Sequence, residues 1–198
     1  PVISTKEINK KKKEQIEVNF KNKKFILSIG RLTKQKNFIL LLNAFVDIKK
    51  KYPEYNLLIL GKGEDQTKLE QIINSLNLSQ SVNLLGYQKN VYKYLDKAKC
   101  FILSSLWEDP GFVLLEASYL NLPIISSNCP NGPDEILKNN ERGFLFQNNN
   151  KEDLIRAFDD FHNCSEDFLK SKIIQAKINS KKYTKFNHYL NIKKILEI

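Results

Sequence analysis

The 198-residue chain has no methionine, one tryptophan, two histidines and three cysteines. Cys100, Cys129 and Cys164 are odd in number, far apart and never in C-x-x-C spacing, which argues against a disulfide framework or a zinc site. A reducing cytoplasm suits them. His162 and His188 have no carboxylate or nucleophile at a catalytic spacing, so they read as structural or surface residues. No Ser-His-Asp, Cys-His or metal-ligand pattern is visible, and neither a metal nor a cofactor is expected. No apolar run approaches the roughly 18 residues that a membrane-crossing helix needs. The opening stretch "PVISTKEINKKKKEQ" lacks the apolar region of a signal peptide and starts without Met, so the chain is expected to be a fragment.

Arginine is also scarce. Of 32 basic residues 29 are lysine, and the net charge of +10 is unevenly spread. Residues 1–24 hold eight lysines against three acids, and residues 165–198 the same, while 25–164 balances 16 basic with 16 acidic residues. The basicity belongs to the two ends. It reads either as solvated lysine or as a surface facing anionic lipid. The aromatic residues follow core spacing and do not alternate with basic ones, so no nucleic-acid partner is expected.

What is abundant is the alternation of short apolar runs with helical patterns, the signature of a parallel α/β sheet. Strands are expected at 24–30, 56–61, 81–86, 100–105, 122–127 and 142–147. Helices are expected at 37–53, 65–78, 90–98, 112–120, 133–138 and 151–161, with two more at about 165–180 and 187–197. Pro53 follows a lysine cluster and stops the first of these. Right-handed crossovers carry all six strand ends to one edge, where open α/β sheets bind ligands. Loops that follow strands are therefore the place to seek chemistry.

After the first strand, "GRLTKQKN" (30–37) offers a tight turn at Gly30 and two cations, Arg31 and Lys36, before a helix start. It reads as a diphosphate site or as a solvated loop with chance charges. It is no Walker A loop. "LGKGED" (60–65) has two glycines, too few to specify phosphate binding, and reads as a turn into the next helix.

"LWEDPGFVLLEA" (106–117) follows the fourth strand. Pro110 and Gly111 open a helix at Phe112, leaving the amides of Gly111, Phe112 and Val113 without intrahelical partners, an arrangement that attracts an anion. Glu108 lies before that terminus and Glu116 about one turn inside it. A carboxylate accepts two hydroxyl hydrogen bonds, so the pair suits a phosphate flanked by polyols, as in a nucleotide sugar. The competing reading is an acid near a helix start plus an unrelated solvent-facing glutamate. "SSNCPNGPDEI" (126–136) repeats the device with Gly132 and Pro133, lining the same cleft or capping a short helix.

Taken in order, "SIGRLTKQKN", "LLILGKGED", "VNLLGYQKNV", "SSLWEDPGFVLLEA" and "LPIISSNCPNGPDEIL" resemble the C-terminal, donor-binding domain of GT-B glycosyltransferases of family 4, across about residues 24–161. The resemblance implies a Rossmann-like parallel sheet of about six strands with helices on both faces. It implies an arm, 1–23, arriving from a preceding N-terminal acceptor domain, a nucleotide-sugar-binding domain at 24–164, and C-terminal helices, 165–198, packing on it. Arg31 and Lys36 then match the cations on the donor diphosphate, Glu108 the acid that holds the sugar, and Glu116 the acid on the ribose. Gly30 and the amides of Gly111, Phe112 and Val113 bind phosphate, and Tyr87 and Gln88 bracket the base. The family's usual Gly-Phe-Gly-like run after the first glutamate is replaced here by "DPGF".

The implied activity is retaining transfer of a hexosyl group from a nucleoside-diphosphate sugar, UDP favoured and GDP possible, to a glycan or lipid-linked acceptor in bacterial surface-polysaccharide or glycolipid synthesis. The fragment alone is expected to be inactive. The expected location is the cytoplasm, with the inner face of the cell membrane as a possible site of work. A sugar-nucleotide epimerase of the same fold and a non-catalytic basic lipid- or RNA-binding module are the alternatives.

Overall fold

The computed structural model describes residues 2–196. A short helix α1 (Thr5–Lys11) precedes a regular alternation. Its first half runs β1 (Lys24–Ile29), α2 (Phe38–Lys51), β2 (Tyr55–Leu60), α3 (Gln66–Ser75), β3 (Val82–Leu84) and α4 (Tyr92–Leu95). The second half runs β4 (Cys100–Leu103), α5 (Phe112–Tyr119), β5 (Ile124–Ser127), α6 (Pro133–Leu137), β6 (Phe144–Phe146) and α7 (Lys151–Asn163). Two further helices, α8 (Glu166–Lys181) and α9 (Lys185–Ile195), close the described chain. The expected last helix ran to 197, which lies outside the described residues, as does the first residue of the 1–23 arm.

The six strands pair in parallel in the order β3-β2-β1-β4-β5-β6. The chain builds one half outward from β1, returns, and builds the other half outward from β4. Strand order therefore reverses between β1 and β4, and ligands of such sheets lie beyond that point.

Strand side chains alternate between two cores, as a sheet covered on both faces requires. Ile26, Leu57, Ile59 and Ile102 pack with Leu41, Leu42 and Phe45 of α2, Leu69 of α3 and Phe158 of α7. Their neighbours Phe25, Leu27, Leu58, Leu60, Phe101 and Leu103 pack with Ile8 of α1, Tyr94 and Leu95 of α4, and Leu114 and Leu115 of α5. Each such fully buried side chain contributes about 1.5–3 kcal/mol, which ties both helix layers to the strands.

The strands end where the sequence supplies turn residues. Expected runs at 81–86 and 142–147 contract to Val82–Leu84 and Phe144–Phe146, because the flanking Ser, Gly and Gln residues belong to loops. The expected helix 90–98 is regular only at Tyr92–Leu95, though turn bonds continue to Ala98, whose amide donates to the Tyr94 carbonyl at 2.9 Å. Within the first segment, α1 is a helix that the lysine-rich sequence does not announce. Only Ile8 of α1 is buried.

The two basic ends meet. The Ile3 amide donates to the Tyr183 carbonyl at 2.8 Å, and Ile3 forms a parallel bridge with Thr184. Helix α8 lies on α5 and α6. Its Lys172 ammonium donates to the carbonyls of Asn140 and Gly143, and the Asn179 amide to the Ile136 carbonyl at 3.3 Å. His162 packs against Tyr52 with ring centroids 4.0 Å apart and the rings tilted by 41°, and His188 is exposed on α9.

Candidate functional site

The β1–α2 loop and the β4–α5 loop flank the point where strand order reverses. Lys36 closes a short 3-10 turn, Lys34–Lys36, and its aliphatic stem lies against Gly30, where an added Cβ would sit 2.9 Å from three of its carbons. Its ammonium reaches Oε1 of Glu108 at 2.5 Å. The Ser105 hydroxyl donates to the same oxygen at 2.5 Å. Glu108 is 4% exposed, and Oε2 has no donor among the described residues. One carboxylate oxygen is thus committed to the protein and the other is open.

The backbone around Glu108 is held from both sides. Its amide donates to the Pro130 carbonyl at 3.1 Å, so the "NCPNGP" loop supports the glutamate, while α6 begins at Pro133 as an ordinary short helix. The Leu106 amide donates to the Gln35 carbonyl at 2.8 Å, and the Gln35 side chain to the Trp107 carbonyl at 2.9 Å. These bonds lock the two loops together.

Gly111 precedes α5 in the left-handed region, φ 72° and ψ 49°, a conformation that favours glycine. A Cβ there would lie 3.6 Å from Cγ of Glu108, so the glutamate sits beside the helix terminus. Among the described residues the amides of Gly111, Phe112 and Val113 donate to no acceptor. Gly111 makes the turn into α5, and three free donors remain at its start.

One turn into α5, Glu116 is half-buried and not the solvent-facing residue of the competing reading. The Tyr92 hydroxyl donates to its Oε1 at 2.9 Å, and Oε2 again has no donor among the described residues. Burial pushes the Glu116 carboxyl above its ordinary value, and the Tyr92 hydrogen bond works in the opposite direction. Burial and the adjacent Glu116 push the Tyr92 phenol up.

Beyond β1, β2 and β3 lies a cleft of about 380 Å³ lined by Gly30, Arg31, Gly61, Lys62, Tyr87 and Gln88, with Val91 on its wall. Arg31 and Tyr87 are exposed there, and the Gln88 side-chain amide donates to the Leu85 carbonyl at 2.9 Å. Gly61, read in the sequence as part of a plain turn, is what lets this cleft form. At φ 147° it stands so close to Gly30 that an added Cβ would lie 1.8 Å from the Gly30 carbonyl oxygen.

Each expected residue thus falls on the strand-end edge, in three groups. Arg31, Gly30, Tyr87 and Gln88 share the cleft, Lys36 and Glu108 form a pair, and Gly111, Phe112, Val113 and Glu116 lie along the start of α5. Gly30 joins the cleft to Lys36, Glu108 joins Lys36 to Gly111, and Tyr92 joins Glu116 back to Val91 in the cleft wall. Arg31 lines the cleft, and Lys36 pairs with Glu108. Lys62 and Tyr92 are members that sequence reasoning missed.

A model of the family described as glycosyl transferases group 1 matches residues 9–181. The chain belongs to this family. Group 1 members are GT-B enzymes of the family 4 type, and the six-stranded Rossmann-like sheet is theirs. An uncharacterized glycosyltransferase of Methanocaldococcus jannaschii is 48% identical over 118 residues, 60% of this chain and 29% of its own length. The N-acetylgalactosamine-N,N'-diacetylbacillosaminyl-diphospho-undecaprenol 4-alpha-N-acetylgalactosaminyltransferase of Campylobacter jejuni is 34% identical over 134 residues, 68% of this chain and 36% of its own. Among solved structures, Anabaena Alr3699/HepE in complex with UDP and glucose superposes with a TM-score of 0.81 at 19% identity. It aligns with 98% of this chain, which spans 53% of that one. The chain thus spans about a third of the length of the curated relatives it matches.

Proposed function

We propose that this chain is the donor-binding domain of a retaining glycosyltransferase that moves a hexosyl group from a nucleoside-diphosphate sugar, UDP-linked in first preference, to a glycan or lipid-linked acceptor. The observation that carries the reading is the Lys36–Glu108 pair set beside the free amides of α5, at the strand-order reversal. An ammonium has three donors. With one on Glu108, two remain for the diphosphate, which the amides of Gly111, Phe112 and Val113 and the Arg31 guanidinium also reach. As the bond to the sugar breaks, negative charge grows on the leaving phosphate, and these fixed positive groups offset it. Oε2 of Glu108 accepts a sugar hydroxyl, Oε2 of Glu116 accepts ribose hydroxyls, and Tyr87 and Gln88 border the base. Neither glutamate is assigned a proton-transfer role.

The acceptor side belongs to the whole protein. The arm before β1 arrives from an N-terminal acceptor domain, α8 and α9 anchor the C-terminal side, and the donor domain alone turns over little or nothing. Work on a lipid-linked acceptor places the enzyme in the cytoplasm at the inner membrane face, where its lysine-rich ends meet anionic lipid. Incubating the whole protein with UDP-hexoses and a lipid-linked acceptor, and reading the product's anomeric configuration by NMR, tests this. Retention in the wild type, with turnover largely lost in Glu108→Gln, supports the reading; inversion, or full turnover in that variant, overturns it.

A further inference from the structure

The carboxyl torsion of a glutamate is broad and nearly two-fold, so an otherwise unbonded Glu116 would present either oxygen in many orientations. Here it has one bond, from Tyr92, at 2.9 Å. Tyr92 is itself fixed. Its amide donates to the Asn90 side-chain oxygen at 3.0 Å, and the buried Asn90 amide group donates to the Lys11 carbonyl at the end of α1 at 2.9 Å. The Tyr92 ring packs against the core beneath α5. No cation pairs with Glu116 among the described residues, and the nearby Glu7 of α1 is engaged by Lys11 at 2.6 Å. The glutamate therefore depends on Tyr92 alone for its orientation, and Val91, beside Tyr92, lines the cleft.

We propose that Tyr92 is a positioning residue for the ribose end of the donor, holding Oε1 of Glu116 so that Oε2 faces the 2′- and 3′-hydroxyls. The proposal rests on the reading of Glu116 as the ribose acceptor. The phenolic oxygen, having donated its proton, keeps lone pairs that accept from the same diol. Discrimination between a ribose and a sugar without these hydroxyls then depends on both residues.

The test titrates UDP and 2′,3′-dideoxy-UDP by calorimetry into wild type, Tyr92→Phe, Asn90→Ala and Glu116→Ala, with thermal melts to establish folding. Wild type is expected to prefer UDP by about tenfold, the scale of one hydrogen bond to a charged group. Tyr92→Phe weakens UDP about five- to tenfold and leaves the dideoxy nucleotide within about twofold. Asn90→Ala, which frees the Tyr92 backbone, gives a smaller loss of the same selective kind. Equal weakening of both nucleotides means Tyr92 only holds α4 to α5, and overturns the proposal. Unchanged selectivity in Tyr92→Phe, with selectivity lost in Glu116→Ala, also overturns it while the ribose reading stands. A wild type that binds UDP without selectivity overturns both.

Discussion

Lys36 and Glu108, 72 residues apart, meet at 2.5 Å with side chains 14% and 5% exposed. A near-buried pair of this kind costs most when one partner is removed alone, since the other charge is left without compensation. Lys36→Ala is expected to destabilise the chain by roughly 3 kcal/mol. The double variant Lys36→Met/Glu108→Gln recovers most of that loss, because the carboxamide oxygen that replaces the carboxylate keeps the Ser105 bond without a charge. Urea unfolding of the single and double variants checks it; additive losses would show that the pair is not coupled.

The pairing shows where sequence reading stops. Glu108, Arg31 and Lys36 each stood out by position after a strand, and the strands stood out because apolar runs end in Gly or Ser. Which cation faces which anion depends on the side-by-side placement of β1 and β4, and nothing local to "GRLTKQKN" records it. Tyr92 was missed for a similar reason: in "NVYKYL" its neighbour Tyr94 goes to the core and Tyr92 to Glu116, a choice made by α5. Helix α1 was missed because one buried residue, Ile8, anchors a surface of lysines. The one local signal overlooked was Gly61, which follows a strand end just as Gly30 does.

Burial of the Glu116 carboxyl carries a stability cost. Its folded pKa lies above the unfolded one, so its ionised form opposes folding at neutral pH, and that penalty fades as pH falls through the raised value toward the ordinary carboxylate range. Glu116→Gln is therefore expected to raise the melting temperature at neutral pH by about 2 °C, a gain that vanishes in acid. The same variant weakens UDP. Wild-type affinity for UDP declines as pH drops through the Glu116 titration, and in Glu116→Gln that decline is absent.

Gly61→Ala forces a Cβ into the Gly30 carbonyl oxygen in a backbone region hostile to side chains. The expected cost is about 2 kcal/mol or more, seen as a fall in melting temperature of about 5 °C or more. Nucleotide binding falls further than stability, since the cleft wall moves. Binding that survives intact would separate the cleft from the site.

The meeting of both lysine-rich ends at the Ile3–Thr184 bridge predicts attraction to anionic bilayers. Sedimentation with phosphatidylglycerol vesicles should show binding near ~50 mM salt that is largely lost at about 500 mM, and none to neutral vesicles. Equal binding to neutral vesicles would point to apolar contact instead.

In the proposed donor complex one nucleotide lies across Arg31, the α5 amides and Glu116. Calorimetry of the 198-residue chain with UDP, GDP and ADP measures it directly. Saturable binding of UDP, weakened about tenfold or more by Arg31→Ala and by Glu116→Ala, is the predicted result. Absence of binding by all three nucleotides to folded wild-type chain would contradict it.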